Sequence, residues 1–141
     1  MENDIVDGIT KAIYDEYGEE CKIYTESIEQ GFKEPCFFVA VLDTEQARII
    51  GNRHQYNIPI DVHYFPGTKA KSEEMREVKQ ALYSILGRIT LLNGDMLNGF
   101  QMHAETVQDV LHFFVTYKPI VKYQQDAEET MAAVDVGTKV R

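Results

Sequence analysis

The chain has 141 residues, 44% hydrophobic and 26% charged, with 14 Lys and Arg against 23 Asp and Glu for a formal net charge of -9. These proportions exclude a disordered polar chain and predict one globular domain, which at this length buries roughly two thirds of the unfolded chain's surface. The acidic balance and the scattered basic residues exclude a nucleic-acid backbone as a tightly held partner.

Residues 3–17 predict a helix, because Ile5, Ile9, Ala12 and Ile13 fall on one stripe. Asn3 or Asp4 is placed to cap its start, and Gly18 follows as a stop. Residues 21–28 alternate, with Cys21, Ile23 and Thr25 on one side and Lys22, Tyr24 and Glu26 on the other, which is the pattern of a half-covered strand. A turn at 30–35 contains Gly31, free to take positive φ, and Pro35, which has no N–H for a ladder.

Cys36 to Leu42 is then seven apolar residues without a polar break. Neighbouring strand side chains point to opposite faces, so this run needs cover on both sides. It continues as a more polar strand to Ile50. Gly51-Asn52 signals a two-residue hairpin with Gly first in the turn. The returning strand, 53–65, sets Tyr56, Ile58, Ile60, Val62 and Tyr64 on one face and Asp61 and His63 on the other. Pro59 predicts an edge position or a local bulge.

Ser72 opens a long helix in which Met75, Val78, Ala81, Leu82, Ile85, Leu86 and Ile89 keep one continuous face. Ser72 is its expected cap, and Glu73 and Glu74 complement the positive end of the helix dipole. Asn93-Gly94 ends this segment. A last hairpin, about 99–117, turns at Gln108-Asp109, and Pro119 closes it. Residues 124–141 are expected to be a tail or short helix after a domain of 1–123. The elements together predict an α+β fold: a mostly antiparallel sheet of two hairpins plus a short strand, with the N-terminal and the long central helix on one face. Two helices cover one side of such a sheet, and nothing remains for the other.

No apolar run approaches the ~18 residues that cross a bilayer, and the start, MENDIVDG, is acidic where a signal peptide would be basic. No membrane association is expected. Cys21 and Cys36 read as reduced hydrophobes in a chain made in a cytoplasm, with a disulfide as the alternative.

Four histidines invite a metal or acid–base reading. A two-residue turn at Gln108-Asp109 pairs Val107 with Val110, Glu105 with His112 and His103 with Phe114. His103, Glu105 and His112 then share one face, with Met102, Ala104, Leu111, Phe113 and Val115 on the core side. A His–Glu–His group on a sheet is one way to hold zinc, but a closed zinc site needs four ligands and a catalytic one at least three. No further ligand stands at short spacing, and solvent or interface positions explain the residues better. His63 beside Asp61 occupies ordinary alternating strand positions. Walker, GxGxxG, CxxC and GxSxG patterns are absent, and Gly67-Thr68-Lys69 reads as a connection rather than an anion site. No cofactor and no catalysis are expected. The constructive signal is the uncovered apolar face, since leaving such side chains wet forgoes roughly 1.5–3 kcal/mol each and extended apolar patches mark partners. A C-terminal tail folded back over that face is the competing explanation.

The blocks Ile23-Tyr24-Thr25-Glu26, Gln30-Gly31-Phe32-x-Glu34-Pro35-Cys36-Phe37-Phe38, Gly51-Asn52-Arg53, Tyr64-Phe65-Pro66 and Val110-Leu111-His112-Phe113-Phe114-Val115-x-Tyr117, in this order over about 5–120, resemble a family of phage tail terminator proteins from Gram-positive hosts. Where that family would carry Asp-Gly at the last hairpin turn, this chain has Gln108-Asp109. The resemblance implies a small α/β subunit that assembles into a ring, usually of six, at the head-proximal end of a tail tube. It implies that the ring stops tube polymerisation and offers a surface to neck, head or collar, in a virion or in a tailocin or other contractile injection particle, there also beside the sheath. DNA is then met only by passage through the lumen, where an acidic wall avoids sticking. The expected contact residues are Phe37, Val39 and Val41 of the apolar strand, His103, Glu105 and His112 on the hairpin, and Arg48 and Arg53, which dock on the tube. The alternatives are a neck protein (stopper or head-completion), a small metal-dependent hydrolase using His103, Glu105 and His112, and a dimeric binding module of the host.

Overall fold

The computed structural model describes residues 1–25 and 33–123. The later part of the strand expected at 21–28, most of the turn at 30–35 and the tail at 124–141 lie outside the described residues. The fold is α+β: among the described residues there are two helices and eight strands, with the sheet mostly antiparallel and curled. Helix α1 is Glu2–Tyr17 and is followed by a 3-10 turn at Gly18–Glu20. Strands β1 (Lys22–Tyr24), β2 (Cys36–Val41), β3 (Glu45–Ile50) and β4 (Arg53–Phe65) come next. Helix α2, Lys71–Ile85, then leads to β5 (Arg88–Thr90), β6 (Met96–Val107), β7 (Val110–Tyr117) and β8 (Ile120–Lys122). The sheet order is β1-β2-β4-β7-β6-β5, with β3 and β8 also pairing to β4. Among the described strands only β1 and β2 run parallel.

Both amphipathic stripes do what their spacing requires. Ile5, Ile9 and Ile13 of α1 are fully buried, as are Met75, Val78 and Leu82 of α2 to within a few per cent. They meet Phe37 and Val39 of β2, Ile58, Ile60, Val62 and Tyr64 of β4, and Leu111, Phe113, Val115 and Tyr117 of β7 in one core. Each of these large apolar side chains contributes roughly 1.5–3 kcal/mol by leaving water.

Three local expectations are corrected. The central helix is shorter than its hydrophobic pattern: it stops at Ile85, and Ile89 belongs to β5. Gly87 follows the cap residue Leu86, and tertiary partners take the freed carbonyls. The Tyr117 hydroxyl donates to the Leu86 carbonyl at 2.7 Å, and the Gly99 amide donates to that of Gly87 at 2.8 Å. A Cβ on Gly99 would stand 2.7 Å from both the Leu86 oxygen and Val115 Cγ2, so the glycine permits this approach. The helix starts also differ, since Met1 and Ala70 stand at the cap positions and neither helix has a side-chain cap. Glu74 instead reaches back from the first turn of α2 to bind the loop before it, accepting from the Gly67 and Thr68 amides at 2.9 and 3.0 Å, from Thr68 Oγ1 and from the Tyr64 hydroxyl.

The third correction concerns Pro59. It is not on an edge strand, because β4 runs between β2 and β7. The Pro59 carbonyl accepts from the Leu42 amide at 2.9 Å, so its N side also points toward β2 and β3. There β2 has ended and β3 has not begun, and the missing donor falls in that gap. Beyond the gap, β3, the first residues of β4 and β8 form a three-stranded arm extending from the core sheet. Gly51 turns the arm's hairpin at φ 57, as its place in the sequence predicts.

Candidate functional site

The helices cover one face of the sheet, and the other face is where the unexplained polar chemistry collects. Strand alternation sends Phe38 and Ala40 of β2, Asp61, His63 and Phe65 of β4, and His112 and Phe114 of β7 to that side. The apolar run at 36–42 is therefore divided. Phe37 and Val39 lie in the core, 0% and 2% exposed, and Val41 is half-buried against it. That corrects Phe37 and Val39 as contact residues, because the chain's own helices and sheet enclose them. Their neighbours Phe38, half-buried, and Leu42, exposed, are the ones that face outward.

What shelters this second face is a layer of rings. Phe38 stacks on His63 at 5.6 Å, His63 meets His112 at 4.3 Å, His112 stacks toward Phe114 at 6.3 Å, and Phe114 stacks on His103 at 4.7 Å. The register expected for the last hairpin is present: Val107 opposes Val110, Glu105 opposes His112, and His103 opposes Phe114. Gln108 and Asp109 both take positive φ, 50 and 63, which is the twisted two-residue turn that hairpins favour. A bulge between Phe100 and His103, with Gln101 at φ 55, is the feature the sequence pattern did not signal. His103 and Glu105 are exposed, and His112 is half-buried.

The structure gathers a different trio from the one the hairpin alone suggests. His63 and His112 are directly paired across β4 and β7. Asp61 Oδ2 lies 2.8 Å from His63 Nε2 and 3.1 Å from His112 Nδ1. Asp61 is the one buried charged residue among those described, 8% exposed, and its Oδ1 is buried without a hydrogen-bond partner. Asp61, His63 and His112 form the only group of three or more potential metal ligands among the described residues. Local alternation placed Asp61 and His63 on one face. It carried no information that His112, far along the chain, would be laid beside them.

The arm continues the same face. Arg53 is flanked across the ladder by Ile50 on β3 and Lys122 on β8, and Ile120 pairs with Gln55. Ile49, Ile50 and Ile120 are 48%, 70% and 59% exposed, unusual values for isoleucine, and Arg53 is exposed with them, whereas Arg48, also exposed, pairs with His54 on the arm's opposite face. Arg48 Nε donates to the Gly51 carbonyl at 2.8 Å, which stiffens the tip. On the arm's other side Tyr123 closes against His54 and Tyr56, and its amide donates to the Asn52 carbonyl at 2.9 Å. From Gln46 to Asn57 there is no acidic residue. The surface of α1 and the turn after it is the reverse, with Glu2, Asp4, Asp7, Glu16, Glu19 and Glu20 exposed and Lys11 tied to Asp15 at 2.9 Å.

Buried phenols and thiols give the molecule its other shifted groups. Burial holds the Tyr117 phenol well above its usual range, and burial with the adjacent Glu74 does the same to Tyr64. Burial likewise pushes the Cys36 thiol up to about 11. Cys21 and Cys36 are both free and buried, and neither is a ready nucleophile.

Residues 4–130 match the family model described as phage tail terminator protein. The chain belongs to that family. A search of curated proteins finds no match. Family membership makes the chain a structural component of a phage tail, of a non-enzymatic kind, which associates with other tail proteins. No described helix is long and apolar enough to cross a membrane.

Proposed function

We propose that this chain is the terminator subunit of a phage or phage-derived tail: it closes into a ring, probing no substrate and forming no covalent intermediate, and caps the head-proximal end of the tail tube. The ring halts tube growth and presents its upper surface to the neck or collar. The observation that carries this reading is the pairing of two unlike surfaces on one small subunit. A cationic arm with three exposed isoleucines extends from one part of the sheet, and an acidic helix α1 covers another. When one surface of a subunit meets a different surface of the next, the contact is heterologous, and repetition by a fixed rotation closes a ring. Apolar side chains then leave water while opposite charges fix the register. Arg48 and Arg53 are the arm's contact residues, with His103, Glu105 and His112 on the open sheet face turned to the neighbour or to the last ring of the tube.

Two measurements test this together. Native mass measurement of the purified chain, alone and with tail tube protein, is expected to show a closed ring in at least one condition. Tails assembled without the protein are expected to be overlong. Tubes of normal length that fail to join heads would overturn termination and place the chain in the neck.

A further inference from the structure

We propose that Asp61, His63 and His112 form a binding site for a divalent transition-metal ion of the zinc class, built across β4 and β7 on the open face of the sheet. This proposal stands on the site's own geometry and does not depend on the terminator reading. Two imidazoles and one carboxylate are the donor set that suits zinc and its neighbours, whereas calcium and magnesium demand oxygen ligands. The donor atoms of the three residues lie within 4.8 Å of one another. In a tetrahedral site with bonds of about 2.0–2.1 Å, ligand atoms stand about 3.3 Å apart. The present Asp61 Oδ2 separations of 2.8 and 3.1 Å fall a few tenths of an ångström short of that spacing, and the third separation, between the two imidazole nitrogens, is at most 4.8 Å.

Two features distinguish this trio from an ordinary hydrogen-bonded cluster. Asp61 is 92% buried, yet one of its oxygens has no partner and the other takes both imidazoles. A buried carboxylate with an unpartnered oxygen is costly, and a cation bound beside it offsets the buried negative charge. The rings are also held in place, His63 by stacking on Phe38 and His112 by its contact toward Phe114, so the donors are positioned before any ion arrives. Binding requires both imidazoles neutral, with the lone pairs of His63 Nε2 and His112 Nδ1 directed at the ion and any proton there released or moved to the other ring nitrogen. Three protein ligands leave a fourth position for water, and Glu105, paired with His112 on β6, is the carboxylate across the ladder from the trio.

The test is titration of the metal-stripped full chain with Zn²⁺ by calorimetry and with Co²⁺ by visible absorption. One equivalent is expected to bind, with the intense d–d bands of a four-coordinate cobalt site. H112Q, H63Q and D61N are each expected to weaken binding by at least tenfold while circular dichroism stays native. H103A, at the nearest exposed histidine outside the trio, is expected to bind as the parent does. If the buried D61N variant fails to fold, the two glutamine variants decide the matter, since both positions are half-exposed. Absence of stoichiometric binding by the parent chain, retention of affinity in H63Q and H112Q, or equal loss in H103A would each overturn the proposal.

Discussion

Tyr117→Phe removes a single oxygen from the best-buried joint in the molecule. Tyr117 and Leu86 are both 0% exposed, and the lost hydroxyl donates to the Leu86 carbonyl at 2.7 Å where α2 hands over to β5. The ring and its packing remain. The cost is then one hydrogen bond plus a carbonyl stranded away from water, about 2 kcal/mol in all. For a chain of this size that corresponds to a fall in Tm of about 8 °C. The same residue makes a second, independent demand. Burial raises the folded-state pKa of the phenol, so its contribution is fully present below the unfolded value of about 10 and is lost as pH climbs from there toward the folded value. Above pH 10 the parent therefore loses about 1.4 kcal/mol per pH unit through Tyr117, a loss the Phe variant does not share. Urea melts at pH 7 and at half-unit steps from 9.5 to 11.5 measure both effects. The variant is expected to be weaker at neutral pH, and the gap to close near pH 11.5. A variant within 0.5 kcal/mol of the parent at pH 7, or a gap that stays constant into alkali, would refute the reasoning.

Other perturbations probe different joints. Glu74→Gln is expected to cost about 1–2 kcal/mol at neutral pH by weakening the charge-assisted bonds that tie the Tyr64–Thr68 loop to α2. Although partial burial acts against it, hydrogen bonds from Thr68, Tyr64 and the Gly67 amide hold the Glu74 carboxyl below its usual range. The difference from the parent is thus full above about pH 4.3 and shrinks as pH falls through the lowered value, which chemical melts across pH 2.5–7 will show. Gly99→Ala places a methyl 2.7 Å from the Leu86 oxygen and from Val115 Cγ2, and thermal melting is expected to report a loss of about 1–3 kcal/mol. The paired change Arg48→Glu and Ile50→Asp, on exposed arm positions, is expected to leave stability within 0.5 kcal/mol and to abolish the ring contact in native mass measurement.

Much of this architecture is legible in the chain, and the misses share a cause. Both helices, the two hairpin turns at 51–52 and 108–109, and the pairing of Glu105 with His112 follow from periodicity and turn chemistry, because each involves residues near one another in sequence; Asn93-Gly94, read as the end of the long helix, instead lies between β5 and β6. The end of α2 was hidden, since Leu86 and Ile89 extend the helical stripe while the atoms that stop the helix belong to Gly99 and Tyr117. Pro59 argued for an edge, and only the break between β2 and β3 shows how a central strand accommodates it. The Asp61–His63–His112 group depends on the order in which strands lie side by side. Alternation gave the correct face for all three, but adjacency of β4 and β7 is a property of the whole topology. Strand β8, three residues long after a proline, carries too little pattern to be seen.

Strand β4 is a shared spine: its 13 residues, about 43 Å at strand rise, run unbroken from the tip of the arm through the centre of the core sheet. The arm is consequently not a hinged appendage. Arg53 is held at a set distance and angle from His63, and the twist of one ribbon of backbone sets the angle between the arm and the core sheet. Lengthening the strand by one residue near Asn57 would turn the arm inside out relative to the core, while two residues would keep its faces and lengthen its reach by about 7 Å. Insertions and deletions there are tolerable only in pairs, and in the ring proposed above such a pair would change the diameter before it changed the stability of its parts.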